Sequence, residues 1–160
     1  MANVFFYNSP AGPVGVAEED GAIAHVFFSG RKKTLQGYVL GETPLIKKAG
    51  AQLAEYFAGK RKYFDLPLSP RGTAFQLSVW KVLQKIPYGE TRSYRDIARL
   101  TGNPKACRAV GGANNRNPIG IIIPCHRVIG ADGSLVGYAS GLAHKRYLLD
   151  LERSKEKDHG

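Results

Sequence analysis

Short apolar runs separated by turn-forming segments dominate the start of the chain. Residues 4–7, 14–17 and 23–28 are such runs, and the segments between them contain Asn, Pro, Gly and acidic residues. Runs of this length between turn signals predict β-strands. Thr43-Pro44 is typical of a helix start, and apolar residues at helical spacing predict a helix over residues 44–58. Residues 63–68 predict one more strand.

The spacing of apolar positions becomes helical after residue 73. Thr73-x-x-Gln76 resembles a capping box and predicts a helix to about Lys85. Ser93-x-x-Asp96 predicts a second, shorter helix, and after a glycine-containing turn Asn103-Pro104 predicts the start of a third. Two helices joined by such a turn predict a helix-turn-helix.

Two regions of different character follow from these patterns. We predict an α+β fold in which residues 1–70 form a small N-terminal α/β domain with an antiparallel sheet. Residues 71–160 form a mainly helical C-terminal domain that contains the helix-turn-helix. Within it, residues 128–136 predict a hairpin, residues 142–152 a last helix, and residues 153–160 a frayed, charged end.

Composition limits the cellular compartment in which we expect the protein. No apolar run approaches the roughly 18 residues that a membrane helix needs. The start lacks a basic segment followed by a long apolar one, so we predict no signal peptide. Two cysteines, Cys107 and Cys125, are too few for a disulfide framework. We therefore expect a cytoplasmic protein with no membrane partner.

Basic residues are concentrated in one block. Residues 71–127 contain 10 of the 23 lysines and arginines but 2 of the 13 acidic residues. Such a block indicates a polyanionic partner, with nucleic acid the first candidate, although a solubilising surface has the same composition. Because the block contains the predicted helix-turn-helix, we favour nucleic acid.

The predicted third helix has one face that is basic and otherwise made of small residues. Its members are Lys105, Arg108, Ala109, Gly112 and Arg116. Glycine inside a helix costs about 1 kcal/mol relative to alanine, so close approach of a partner's backbone would explain Gly112. The alternative is a loose sequence near a helix end.

One cysteine carries the strongest chemical signal. Cys125-His126 follows the apolar run Ile121-Ile122-Ile123, which predicts a buried strand. A free cysteine has a pKa of about 8.5, and a neighbouring imidazole can take its proton directly or through a water. That imidazole needs an acceptor on its other nitrogen. Glu152 is a candidate, although a glutamate at a helix end is usually solvated surface.

Two further observations concern the same segment. Asn117-Pro118 precedes the isoleucine run, and an asparagine there can bond backbone groups and stabilise a tight turn, or lie in an ordinary loop. A lone cysteine–histidine pair lacks the spaced ligands of a zinc site, so we expect no metal.

Together these residues resemble the active-site signature of the O6-alkylguanine-DNA alkyltransferases. The resemblance is carried by Asn117-Pro118, Ile123-Pro124-Cys125-His126-Arg127-Val128, Tyr88-Gly89-Glu90, Ser93-Tyr94, Gly102-Asn103-Pro104-Lys105-Ala106, Arg108-Ala109-Val110-Gly111-Gly112-Ala113, Gly141-Leu142-Ala143, Leu148-Leu149 and Glu152. It covers essentially all of residues 73–152. Residues 1–70 resemble the family's ribonuclease-H-like support domain only in layout.

The resemblance implies a set of catalytic roles. Cys125 would be the nucleophile and final acceptor of the alkyl group, and His126, acting through a water and oriented by Glu152, would form its thiolate. Asn117 would brace the active-site turn. Tyr94 would help to rotate the nucleotide out of the duplex and would donate to the guanine ring.

The resemblance also implies how DNA is bound. The third helix would enter the minor groove, with Arg108 filling the gap left by the flipped base. The other implied DNA-binding residues are Tyr94, Asn103, Lys105, Ala109, Gly112 and Arg116. The base pocket would be lined by Gly120, Val128, Tyr138 and Ala139, and the backbone carbonyls of Cys125 and Val128 would contact the guanine amino group.

Some positions depart from the family's pattern. Ala139 stands where several members carry serine, so a side-chain hydrogen bond near the base oxygen would be missing. Gly120 replaces a proline of some members, which opens the pocket. The chain lacks the N-terminal cysteines of zinc-binding members, and Cys107 is expected to be structural.

The implied activity is direct reversal of DNA damage. The alkyl group of O6-alkylguanine, and of O4-alkylthymine, would pass irreversibly to Cys125 in a single turnover without a cofactor. The partner would be double-stranded DNA carrying the lesion, and the protein would be a monomer with no obligate protein partner, nucleoid-associated in a prokaryote or nuclear in a eukaryote. The alternatives are a non-catalytic lesion-binding module, against which Cys125 argues, and a cysteine hydrolase, which the basic block disfavours.

Overall fold

The computed structural model describes residues 2–30 and 35–158, with side chains described as far as residue 154. The chain divides into two compact units, Met1–Arg71 and Gly72–Gly160. The first unit contains a four-stranded sheet in the order β3-β2-β1-β4. Its strands are β1 (Ala2–Tyr7), β2 (Val14–Glu19), β3 (Ala22–Phe28) and β4 (Val39–Leu40). The first three are antiparallel and lie where the apolar runs predicted strands, whereas β4 pairs in parallel with β1 and was not predicted.

Helix α1 (Pro44–Phe57) begins where Thr43-Pro44 predicted it. The Thr43 hydroxyl accepts from the amide of Ile46 at 3.1 Å and caps the first turn. The strand predicted over residues 63–68 is wrong, because only Leu68 forms a bridge, with Ile23. The amide and carbonyl of Asp65 instead bond the side chain of buried Gln52, at 3.0 and 3.2 Å.

The second unit contains four helices in its described part. They are α2 (Ala74–Leu83), α3 (Tyr94–Leu100), α4 (Cys107–Asn115) and α5 (Leu142–Asp158). The predicted capping box is present at the start of α2, and Ser93 and Asp96 form a second one where the start of α3 was predicted. Trp80 of α2 is buried and its indole N–H donates to the carbonyl of Ala113 at 2.8 Å, which joins α2 to α4.

Two predicted helix boundaries in this unit need correction. Helix α4 starts at Cys107 rather than at Asn103, because residues 103–106 form a turn closed by the Ala106 amide on the Asn103 carbonyl at 3.0 Å. Helix α5 continues to Asp158 instead of ending at Glu152. The apolar stripe of α5 loses its hydrophobic residues near Glu152, so the periodicity stops before the helix does.

The hairpin predicted over residues 128–136 is also wrong. Residues 130–134 do turn, with the Gly130 amide on the Ser134 carbonyl at 2.9 Å. Strand β6 (Val128–Ile129) nevertheless pairs in parallel with β5 (Arg92–Ser93). The Val136 carbonyl accepts hydrogen bonds from the side chains of Tyr94 and Lys145 and not from a neighbouring strand. No helix within the described residues is both long and apolar enough to cross a membrane.

Candidate active site

A tight turn, not a strand, leads into the cysteine. Ile119, Ile121 and Ile123 are buried, but residues 120–123 turn, and Ile121 has a φ of 69°, which is rare for a β-branched residue. The strand predicted from the continuous apolar run of residues 121–123 is therefore wrong. The buried isoleucines therefore anchor a strained turn rather than extend a sheet.

Asn117 stabilises this turn from within. Its amide nitrogen donates to the carbonyls of Ile119 at 3.2 Å and Ile123 at 2.8 Å, and its amide oxygen accepts from the Ile119 amide at 3.1 Å. The three bonds satisfy backbone groups that a turn leaves unpaired. Asn117 also lies close enough to Cys125 to lower the pKa of its thiol.

Cys125 opens a 3-10 turn (Cys125–Arg127) and is buried. Burial raises the pKa of its thiol, and the polar side chains of Asn117 and Tyr138 together with the positive charge of Lys145 offset only part of this rise. The resting cysteine is therefore a thiol near neutral pH, and a base must remove its proton before it can act as a nucleophile.

His126 is completely buried beside the cysteine. Its Nε2 lies 2.6 Å from Oε2 of Glu152, while Nδ1 is buried and has no hydrogen-bond partner among the residues that the structure describes. Burial lowers the pKa of His126, with Glu152 opposing that effect, so the ring is neutral and carries its proton on Nε2. The free Nδ1 is then able to accept a proton.

Glu152 lies inside α5 with no exposed surface, so the predicted site at a helix end is wrong although the predicted contact with His126 is present. Arg127 donates from Nε to Oε1 at 2.8 Å and from Nη2 to Oε2 at 3.0 Å, and the Gly89 amide lies 3.3 Å from Oε1. Burial raises the pKa of Glu152, but its bonds with His126 and Arg127 hold that pKa well below the usual range. The site thus contains a fixed carboxylate.

Lys145 is a site residue that the sequence interpretation missed. It is fully buried, and its ammonium donates to the carbonyls of Val128, Val136 and Gly137. Burial lowers its pKa to about 8. Lys145 and Glu152 are seven residues apart and flank buried Leu148 and Leu149, so both occupy the buried stripe of α5. Charged residues on an otherwise apolar stripe were the signal that could have identified Lys145.

Two residues of the neighbouring helices, Tyr94 of α3 and Asn114 of α4, lie near the cysteine. The half-buried Tyr94 hydroxyl donates to the Val136 carbonyl at 2.6 Å, and burial raises its pKa. Asn114, which was not predicted, donates from Nδ2 to the Cys125 carbonyl at 3.2 Å. Tyr138 is half-buried and hydrogen-bonds to the Cys125 thiol.

The remaining residues predicted for the base pocket and for DNA binding differ in their solvent exposure. Val128 is buried, Gly120 is half-buried and Ala139 is exposed. On α4 the predicted basic face is exposed at Arg108, Ala109, Gly112 and Arg116, with Val110 and Ala113 buried behind it. Asn103 and Lys105 are exposed but precede the helix.

Gly112 is not required by packing within the protein. A Cβ atom built there would have no atom within 4 Å apart from its own helix and its chain neighbours. A Cβ at Gly111 would meet the Tyr94 ring at an ordinary 3.9 Å. The small residue at 112 therefore leaves the exposed face flat.

Among the described residues, no group of three or more His, Cys, Asp and Glu side chains forms a candidate metal site.

Comparison with known proteins identifies relatives of both units. A family model described as 6-O-methylguanine DNA methyltransferase, DNA binding domain, matches residues 74–154, and one described as 6-O-methylguanine DNA methyltransferase, ribonuclease-like domain, matches residues 5–70. A methylated-DNA--protein-cysteine methyltransferase of Methanosarcina acetivorans is 54% identical over 151 residues, which cover 92% of this chain and 96% of the relative. The constitutive enzyme of that name from Bacillus subtilis is 49% identical, covering 94% of each chain.

Solved structures show the same fold. The O6-methylguanine methyltransferase of Mycobacterium tuberculosis superposes with a TM-score of 0.89 at 44% identity, covering 97% of this chain and 94% of that one. The structure of the M. tuberculosis protein in complex with DNA superposes with a TM-score of 0.88 at 45% identity, covering 96% and 94%. The predicted α+β fold and family resemblance are confirmed.

Proposed function

The chain belongs to the methylated-DNA–protein-cysteine methyltransferase family and repairs alkylated DNA by moving the alkyl group to one of its own cysteines, and we propose that Cys125 is that cysteine. The observation that carries the proposal is the buried pair of His126 and Glu152, with the imidazole 2.6 Å from the carboxylate, directly next to buried Cys125 in the sequence. The second cysteine, Cys107, lies at the start of α4 and has no such neighbours.

Activation begins with transfer of the Cys125 thiol proton to Nδ1 of His126, through a water. The resulting imidazolium keeps its Nε2 proton directed at Glu152, whose negative charge stabilises it. Because Arg127 holds Glu152 as a carboxylate, the proton remains on the imidazole and does not pass to the acid. The Tyr138 hydroxyl then donates to the thiolate.

Transfer follows as a displacement at the alkyl carbon. The thiolate sulfur forms a bond to that carbon, the carbon–O6 bond breaks, and its electron pair enters the guanine ring. Donation from the Tyr94 hydroxyl stabilises the developing charge. This hydroxyl donates to the Val136 carbonyl in the structure, so it must exchange that acceptor for the base. The product is a thioether, and the protein acts once without a cofactor.

The exposed face of α4 is the proposed DNA contact. Its cations, Arg108 and Arg116, suit phosphates and a base gap, and the flat surface at Gly112 permits close approach to a minor groove. The alkylated base must leave the duplex to reach the buried thiol, at a cost of a few kcal/mol. Asn103, Lys105 and Ala109 extend this surface, and Gly120, Val128, Tyr138 and Ala139 contribute to the base pocket.

The proposed substrates are O6-alkylguanine and O4-alkylthymine in double-stranded DNA, and the proposed active species is a monomer. Residues 1–71 have a supporting role, since the histidine of that unit, His25, is a strand residue and the unit contains no cysteine. A non-catalytic lesion-binding module is disfavoured because binding alone does not require a buried cysteine, Cys125, next to the hydrogen-bonded pair of His126 and Glu152.

Intact-protein and peptide mass spectrometry test the proposal. The protein is mixed with a duplex that contains one O6-methylguanine, and we expect the peptide containing Cys125 to gain the mass of one methyl group. A Cys107→Ser variant should behave as wild type and Cys125→Ser should remain unmodified. Binding of the duplex with no change of mass, or modification at Cys107, would contradict the assignment.

A further inference from the structure

An exposed leucine lies in a groove between α2 and α3 that the repair reaction does not use. Leu100, the last residue of α3, has a relative exposure of 62%, although burial of a leucine side chain is favourable. Two cavities, of about 340 and about 290 Å³, both have Leu100 and Arg92 in their walls. The two cavities therefore form one continuous groove, the α2–α3 groove, that passes over Leu100.

The α2–α3 groove combines apolar and cationic side chains. Its apolar lining consists of Val82, Ile86 and Leu100, and its cations are Lys85, Arg92 and Arg99. Arg92 pairs with Glu90 at 3.1 Å and Arg99 with Asp96 at 3.9 Å, but water reaches both pairs, so they contribute little to stability. The guanidinium groups can therefore exchange these partners for the carboxylates of another molecule at little cost.

The groove lies on the opposite side of α3 from the proposed active site. Successive residues of an α-helix are rotated by about 100° around its axis. Asp96, Arg99 and Leu100 are therefore centred roughly opposite Tyr94, the α3 residue that lies near the cysteine. The residues that line the groove include none from α4. A molecule bound in the groove thus leaves Tyr94 and the exposed face of α4 accessible.

The lining of the groove favours a peptide over a second segment of DNA. Asp96 accepts from the Ser93 amide at 3.0 Å, and this bond lowers the pKa of its carboxyl group, so a negative charge is fixed in the groove. A phosphate placed there is repelled by Asp96, and the DNA backbone has no apolar group to cover Leu100. A peptide can direct carboxylates at the cations and an apolar side chain at Leu100.

We propose that the α2–α3 groove is a docking site for an acidic segment of a partner protein that also carries apolar side chains. The carboxylates of this segment pair with Lys85, Arg92 and Arg99, and its apolar side chains bury Leu100. An apolar contact surrounded by polar and charged pairs is the usual arrangement of a protein–protein interface. The inference does not depend on the proposed function, and it implies that the protein binds DNA and this partner at the same time.

Fluorescence anisotropy with a labelled probe peptide tests the inference. The probe has the sequence Asp-Leu-Asp-Asp-Leu-Asp, and we expect saturable binding to the full chain at low ionic strength. Leu100→Asp should weaken this binding at least about tenfold, because it removes the central apolar contact and repels the carboxylates. Lys85→Glu, at an exposed lysine of the groove, should also weaken it. Probes with Ser in place of Leu, or Asn in place of Asp, should bind more weakly to wild type.

The matched control is Leu77→Asp, at an exposed leucine of α2 that does not line the groove, and it should bind the probe as wild type does. Methyl transfer from a methylated duplex should be unchanged in Leu100→Asp, which shows that the variant is folded. Absence of saturable probe binding to wild type would overturn the inference, as would equal binding by wild type and Leu100→Asp. Displacement of the probe by an unmodified duplex would also overturn it, since the probe would then occupy the DNA-binding surface.

Discussion

Arg127 donates to both carboxylate oxygens of Glu152, through Nε at 2.8 Å and Nη2 at 3.0 Å. The third guanidinium nitrogen, Nη1, donates to the Ile86 carbonyl at 2.7 Å, and the group lies 5.7 Å from the centre of the Tyr88 ring. A planar guanidinium bonded at three points fixes both the charge and the direction of the carboxylate that faces His126. The Arg127–Glu152 pair therefore fixes the carboxylate that accepts a hydrogen bond from His126.

Removing Arg127 should destabilise the protein strongly. In Arg127→Ala the Glu152 carboxylate stays buried without its main donor, and breaking a buried ion pair in this way costs about 3–5 kcal/mol. Urea denaturation measures the change. Arg92→Ala, which breaks the more exposed pair with Glu90, is the matched control and should cost under about 1 kcal/mol. Similar losses in the two variants would show that the buried pair has no special role.

Stability should fall with acid in two stages. The folded state lowers the pKa of both His126 and Glu152, so the unfolded chain binds their protons at higher pH than the folded chain does. The contribution of His126 is complete above about pH 6.5 and declines below it, and that of Glu152 is complete above about pH 4.3 and declines below that. Denaturant midpoints across this range measure the effect, and Glu152→Gln should flatten the lower stage. A midpoint that does not change with pH would contradict both assignments.

His126→Gln should slow methyl transfer by about 10²–10⁴-fold, because the buried Cys125 thiol loses its general base. Raising the pH should restore part of the rate, since hydroxide then removes the proton. His144→Gln, at a half-buried histidine that bonds Ser140, is the control and should leave the rate unchanged. Rates are measured by quenched-flow transfer from a methylated duplex. A pH-independent loss in His126→Gln would argue for a purely structural role.

Arg108→Ala should impair repair of duplex DNA without changing the cysteine itself. The exposed side chain is proposed to occupy the gap left by the base, so its loss lowers the rate with duplex but not the rate with a small alkylating reagent. Arg99→Ala, at an exposed arginine of α3, controls for the loss of one positive charge. Affinity for the duplex should also fall steeply with salt in wild type. Equal duplex repair by wild type and Arg108→Ala would exclude this role.

Gly112 allows stability and DNA binding to be separated. Because a Cβ there meets open space, Gly112→Ala should raise stability by up to about 1 kcal/mol through helix propensity. Gly112→Leu should fold equally well but bind duplex DNA more weakly, since its side chain projects from the contact face. Thermal unfolding and fluorescence anisotropy with a labelled duplex measure the two properties. Undiminished binding by Gly112→Leu would place the DNA elsewhere.

Local signals in the sequence predicted much of this fold. Thr43 with Pro44, and the capping boxes at Thr73 and Ser93, encode helix starts through contacts within four residues, and all three helices begin there. Three of the four strands predicted in the first unit likewise follow from short apolar runs between turns. The adjacent Cys125-His126 pair could be recognised because the sequence alone places them together.

Long-range pairings could not be predicted in the same way. The two-residue strands β5 and β6 pair across 36 positions, and nothing in either dipeptide specifies the other. Residues 119–123 alternate in burial as a strand does, although the Asn117 side chain bonds them into a turn. The position of Lys145 on the apolar stripe of α5 can be read from the sequence, but its partners cannot, because they are backbone carbonyls of residues 128, 136 and 137.

The pairing of β5 with β6 has a consequence for dividing the chain. The exposed turn at residues 131–134 follows β6, so a fragment ending in this turn keeps both strands together with Cys125 and His126. Lys145 and Glu152 would lie on the complementary fragment with Tyr138 and α5. Neither half holds a complete site, so we expect methyl transfer only when the two fragments reassociate. Split at this turn, the protein would become an irreversible recorder of proximity between two fused partners, read out as a permanent mark on Cys125.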